Sequence, residues 1–171
     1  MVKKSIVYFD RVMMLIEKLL KGIIVFSVAA LVIVMSLNII FRYVLSAPIF
    51  WADEFALYML VWITFLGASI CIKHDRLPAI TILKDKLNTT LRLYLYIIIQ
   101  IAILLFSFII LYYTFDWITS NNVANRVSAA MRVPMWIPYS ILPLTMFINV
   151  LFVLHNILHS KQSLKLEMGS D

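Results

Sequence analysis

GIIVFSVAALVIVMSLNIIF, from Gly22 to Phe41, runs twenty residues without a charge. A bilayer hydrocarbon core about 30 Å thick is crossed by roughly 20 apolar residues of helix, so this segment is long enough to span. A cleaved secretory leader would carry a shorter apolar core of about 7–15 residues followed by a small-residue cleavage site. The run is instead followed by NIIFRY, Asn38 to Tyr43, and is expected to stay in the membrane as a start-transfer helix.

Three further uncharged runs follow: Phe55 to Ile72, Leu93 to Phe115 and Val133 to Ser160, of 18, 23 and 28 residues. With 63% hydrophobic and 14% charged residues, the composition lies far from that of soluble domains. Backbone polar groups in lipid must be paired within the segment, and runs this long and uniform lack the alternation of barrel strands, so helix is the reading. The sequence predicts an all-α integral membrane protein, one domain over 1–171, with spans at 22–45, 51–72, 91–115 and 134–159. Pro138 and Pro143 would bend or unwind the last of these unless its helix starts late.

Two shorter segments have helical periodicity of another kind. Over 5–21, Ile6, Phe9, Met13, Ile16 and Leu20 fall on one face and Asp10, Arg11, Glu17, Lys18 and Lys21 on the other. This pattern fits an amphipathic helix in the headgroup plane, or else a plain extension of the first span. Glu17 and Lys21 have the favourable i, i+4 spacing. Over 78–88, Pro78 opens a short segment with Ile80, Leu83 and Leu87 on one side, a second interfacial helix.

Lys and Arg are distributed unevenly. The N-terminal segment, the middle connection and the tail together hold 12, and the other two connections hold 3. By the positive-inside rule both termini and the middle loop are expected in the cytoplasm. The net charge of +6 is then a topology signal that meets anionic lipid headgroups rather than nucleic acid.

Several chemistries are excluded or disfavoured. With three glycines and no GxxxxGK[ST], no ATP-binding loop can form. Cys71 is alone, which rules out an internal disulfide. His155 and His159 sit four apart, a metal-compatible spacing, but without a helical partner they read as an interfacial helix end, and no cofactor or metal is expected. No acid or base falls near the middle of any run, whereas a self-sufficient transporter needs polar groups or broken helices at the midplane. The chain is not expected to be an enzyme or to move a polar solute unaided.

The connection NIIFRYVLSAPIFWADEF, Asn38 to Phe55, gathers Arg42, Asp53 and Glu54. Arg42 ends the first span and Glu54 begins the second, so the two can pair at one interface. Trp51, Glu54, Tyr58 and Trp62 recur at spacings of three and four, forming a stripe down the second span. The stripe is either an aromatic belt with lipid-facing rings or a packing face for another membrane protein. Gly67 opens the small-residue run GASIC below it, which would permit close helix approach.

The order Asn38, Arg42-Tyr43-Val44, Trp51, Glu54, Trp62, Phe65 and Leu66-Gly67-Ala68 resembles that of DctQ-type small membrane subunits of tripartite ATP-independent periplasmic (TRAP) transporters. The chain departs from the family at the acidic loop pattern after the second span, where Leu77 and Thr81 stand in place of a histidine and an acid. The resemblance implies a non-catalytic scaffold subunit that braces a large, elevator-type, sodium-coupled membrane subunit importing an organic acid. It also implies external loops that help dock a periplasmic substrate-binding protein. Among members of the family the sequence is most similar to those of sialic acid systems. Arg42, Trp51, Glu54, Tyr58, Trp62 and Gly67 would form a subunit interface or a structural cluster. The alternatives are an independent small oligomeric transporter or channel, and a haem-holding redox subunit.

Overall fold

The computed structural model describes residues 2–74 and 89–167. The interfacial helix expected over 78–88 lies outside the described residues. In chain order the elements are α1 (Val2–Tyr43), α2 (Ala52–Lys73), α3 (Thr89–Thr119), two single-turn helices α4 (Asn121–Ala124) and α5 (Trp136–Tyr139), and α6 (Ile141–Glu167). Four helices are long and apolar enough to cross a membrane, over Tyr8–Tyr43, Ala52–Lys73, Tyr94–Thr119 and Trp136–Leu158.

The first helix differs from the expected pair of elements. Segment 5–21 and the span at 22–45 form one unbroken helix of 42 residues, about 63 Å long at 1.5 Å per residue. A single mid-helix glycine, Gly22, costs only about 1 kcal/mol and does not break it. The stripe that fitted a membrane surface has a protein partner. Met13 and Leu20 are buried in a core with Leu66, Ile141 and Phe152, and Phe9 and Ile16 pack against that core. The two segments are continuous, which is the geometry of the extension reading.

The fourth span is divided by its prolines. A single turn over Trp136–Tyr139 ends at Ser140, and the long helix begins at Ile141. Pro143 therefore falls in the first turn, where its missing N–H would have had no intrahelical partner. The helix proper starts late, and Pro143 does not kink it.

In the assembled fold α6 is central, packing on α3 and α2, while α1 lies mainly on α2. The face of α3 packed on α6 carries buried Gln100, Ser107 and Thr114, one every seven residues, the repeat of a left-handed helix pair. Buried Thr145 and Asn149 lie on α6. Small and polar residues are the usual material of helix contacts in lipid, where apolar side chains gain nothing by leaving the solvent. The outward faces hold Val25, Phe26, Ile33, Phe108 and Tyr112, all more than half exposed. Such surfaces would promote aggregation in water but suit hydrocarbon.

Phe152 is fully buried, so Phe152→Ala is expected to destabilise the detergent-solubilised chain by about 3–5 kcal/mol. Phe26→Ala, at a ring 75% exposed, should leave the melting temperature nearly unchanged. Equal effects of the two in a thermal melt would contradict this core.

Candidate functional site

The helices define two polar ends. At one, α1 finishes, α2 begins and the 120–140 segment returns to α6. At the other, α1 begins and α2 finishes against the middle of α6.

At the first end, the Arg42–Glu54 pair expected from sequence is not formed. Arg42 Nη2 lies 3.7 Å from Asp53 Oδ2, with both side chains mostly exposed. Asn38 is buried beneath them. Its Nδ2 donates to Asp53 Oδ1 at 3.4 Å, and its Oδ1 accepts the Ile49 N–H at 3.0 Å. One amide thus ties the 44–51 connection to both helix ends.

Glu54 reaches across to a distant segment. Tyr58 donates its hydroxyl to Oε1 at 2.7 Å, and the N–H groups of Ala130 and Met131 donate to Oε2 at 2.8 and 3.0 Å. Those amides form the tip of a tight hairpin. The Ser128 N–H donates to Val133 O at 2.9 Å, the Met135 N–H donates to Arg126 O at 2.9 Å, and Val127 bridges Pro134. Arg132 at the tip has φ 54°, a left-handed conformation that costs a non-glycine residue about 1–2 kcal/mol. Charge-assisted bonds from two successive amides, each worth about 1.5–3 kcal/mol, are enough to hold it. Eight residues further down the stripe, Trp62 Nε1 donates to the Pro138 carbonyl at 3.0 Å, just before the break at Ser140.

Below Trp51 the stripe is therefore an internal seam. Trp51 lies edge-on to Phe55 with ring centroids 6.1 Å apart, and Glu54, Tyr58 and Trp62 bind this chain's own loop. A Cβ built on Gly67 meets nothing within 4 Å, so the close helix approach expected there does not occur within the chain.

At the opposite end lies a cluster that the sequence reading missed. The Lys73 ammonium pairs with Glu17 Oε2 at 2.6 Å, donates to Met13 O at 2.7 Å and sits 5.3 Å from the Phe152 ring centroid. Glu17 also receives Lys21 and, at 2.8 Å, His74 Nε2. His155 Nε2 meets Asp10 Oδ1 at 2.9 Å, and Asn156 Nδ2 donates to Ile72 O at 2.9 Å, near the end of α2. Three helices are thus tied together by side chains that composition alone counts as topology charges. His155 is engaged by Asp10, the side chain of His159 lies outside the described residues, and among the described residues no three His, Cys, Asp or Glu side chains gather into a metal ligand set.

The family model described as "Tripartite ATP-independent periplasmic transporters, DctQ component" matches residues 31–162, including the Asn38, Arg42, Glu54 and Trp62 positions and the hairpin. The chain belongs to the DctQ family. Its members are small permease subunits, a non-catalytic role, and the chain is not an enzyme. It is 24% identical over 131 residues to the isethionate TRAP transporter permease protein DctMQ of Oleidesulfovibrio alaskensis, covering 73% of this chain and 21% of that one. It is 24% identical over 162 residues to the C4-dicarboxylate TRAP transporter small permease protein DctQ of Vibrio cholerae, covering 81% and 69%. With the sialic acid TRAP transporter small permease protein SiaQ of Vibrio cholerae it shares 34% identity over 76 residues, 44% of each chain. The chain thus spans about a fifth of the isethionate relative and under half of the sialic acid one.

Two outcomes follow from the two ends. Glu54→Ala should speed hydrogen exchange at the Ala130 and Met131 amides by about thirtyfold, the equivalent of about 2 kcal/mol; unchanged exchange would show that the hairpin holds itself. Lys73→Met should lower stability by about 3 kcal/mol by leaving Glu17 short of a buried partner, and Glu17→Gln in the same chain should restore at least half of the loss. Simple additivity of the two in a thermal melt would contradict the pairing.

Proposed function

We propose that the chain is the fixed scaffold subunit of a sodium-coupled TRAP importer of an organic acid. It braces a large elevator-type membrane subunit and helps to dock a periplasmic substrate-binding protein. The observation that carries this is the placement of polar groups. Between Lys21 and Arg42, Glu54 and Lys73, Arg92 and Asp116, and Arg132 and Lys161 no Lys, Arg, Asp or Glu occurs. The ionic groups at the two ends hold this chain together, and the spans offer a solute no charged path. In the isethionate relative a region like this one occupies 21% of a single longer permease chain, which supports a partner held permanently alongside.

The Lys and Arg asymmetry supports a cytoplasmic position for both termini and the Glu17–Lys73 cluster, and a periplasmic one for the hairpin. Glu54, Tyr58 and Trp62 act on assembly through the hairpin they hold, whereas Arg42, Trp51 and Gly67 remain open to a partner. Sialic acid is the substrate favoured, on the 34% identity to a sialic acid small permease protein. Relatives named for isethionate, C4-dicarboxylates and sialic acid support the broader class of organic acids.

The test is sodium-driven sialic acid uptake in proteoliposomes. The complete three-part set should transport, while this chain alone and the two membrane subunits without the binding protein should not. Uptake by this chain alone would favour the independent small transporter. Within the complete set, Glu54→Ala and Arg42→Ala should each lower the yield of complex and the uptake rate without changing which acid is chosen.

A further inference from the structure

At the hairpin end, α3, α4, the base of the hairpin and α5 line an open pocket of about 350 Å³ formed by Trp117, Asn122, Val123, Arg126, Met135 and Tyr139. Its position is built, not incidental. Val123 in its lining is buried, and the Trp117 and Tyr139 rings meet at 4.9 Å between centroids. The backbone of Arg126 is fixed at both sides of the hairpin base: its N–H donates to Val123 O at 3.2 Å and its carbonyl accepts the Met135 N–H at 2.9 Å. Among the described residues no acid pairs with Arg126 or Arg132, although Asp53 and Glu54 at the same end are engaged by Arg42 and by the hairpin amides, and Asp116 pairs with neither arginine.

We propose that this pocket receives a carboxylate side chain of the soluble substrate-binding protein, gripped by Arg126 beside the paired Trp117 and Tyr139 rings. The inference rests on the proposed function, which puts this end on the periplasmic side. The chemistry selects a protein surface over a free acid. One exposed guanidinium changes an equilibrium by no more than about fivefold, too little to capture a small acid alone, and a cavity of about 350 Å³ is near the lower limit for a ligand pocket of about 300 Å³. Arginine, tryptophan and tyrosine together are the residues that dominate protein interfaces, where a surrounding contact area keeps water from the pair. The hairpin fixes the Arg126 backbone, and the planar fork of the guanidinium matches a carboxylate two bonds at a time. Glu54, which holds the hairpin tip, is a positioning residue for this pocket.

The experiment measures the affinity of the reconstituted two-subunit membrane complex for its binding protein across a salt series, in phosphatidylcholine bilayers. Arg126→Gln should weaken binding by about tenfold and flatten its salt dependence. Arg126→Lys serves as a folding control and should keep the salt dependence. Arg126→Glu should weaken binding further and be rescued by Lys at one surface acid of the binding protein. Equal affinity and salt slope for wild type and Arg126→Gln would overturn the inference. So would a loss seen only when phosphatidylglycerol is added, which assigns the pocket to a lipid headgroup, or a loss of free sialic acid binding to the complex alone, which makes it a solute subsite. If the wild-type complex binds no binding protein at all, the underlying scaffold reading fails with it.

Discussion

A chain immersed in hydrocarbon must pair its polar groups within itself, and every feature of this fold follows from how that demand is met. Backbone groups are paired by helix formation. Side-chain charges are moved to the two ends, where each anchors one element to another. The middle is left to apolar contacts and to neutral amides and hydroxyls such as Gln100, Ser107, Thr114, Thr145 and Asn149. The result is an open array, with α3 held by α6 and α1 held by α2, rather than a closed bundle around a pathway.

The two ends divide the work. Lys73 ties the start of α1 to the end of α2 through Glu17 and Met13 while its charge lies over Phe152 of α6, so one ammonium joins three helices. Glu54 does the equivalent at the other end, but to a loop: its carboxylate replaces the missing backbone partners of a hairpin tip and stabilises the left-handed Arg132. With Trp62 bonded to Pro138, the returning segment is fastened to α2 at two heights. A surface loop held this way is a rigid feature, which is what a subunit needs if it is to present a fixed face to a soluble partner while a neighbour moves.

Much of this was legible in the sequence, and the gaps have physical causes. The four spans were readable because length and uniform apolarity are one-dimensional properties, and an irregular start to the fourth because proline's missing N–H acts locally, although the prolines alone left open whether the helix bends or begins late. The stripe of Glu54, Tyr58 and Trp62 was visible, but its partners were not: Glu54 and Ala130 are 76 residues apart, and periodicity identifies a face without saying what covers it. For the same reason Arg42 was matched to Glu54, when Asp53, one residue earlier, points toward it. Lys73 was read only as a topology charge, since nothing local distinguishes a snorkelling lysine from a buried one. The seven-residue recurrence of Gln100, Ser107 and Thr114 inside an apolar run was the one signal present but unused, and it marks the face of α3 that packs on α6.

If the chain is a brace, its fastenings do not change while the transporter works. Hydrogen exchange of the assembled transporter at residues 54–62 and 126–139, compared with and without sodium and sialic acid-loaded binding protein, tests this most directly. Amide protection along α2 and inside the hairpin should stay the same across both conditions. Protection that rises or falls in α2 with sodium and substrate would mean that this chain moves with the cycle, contradicting the account.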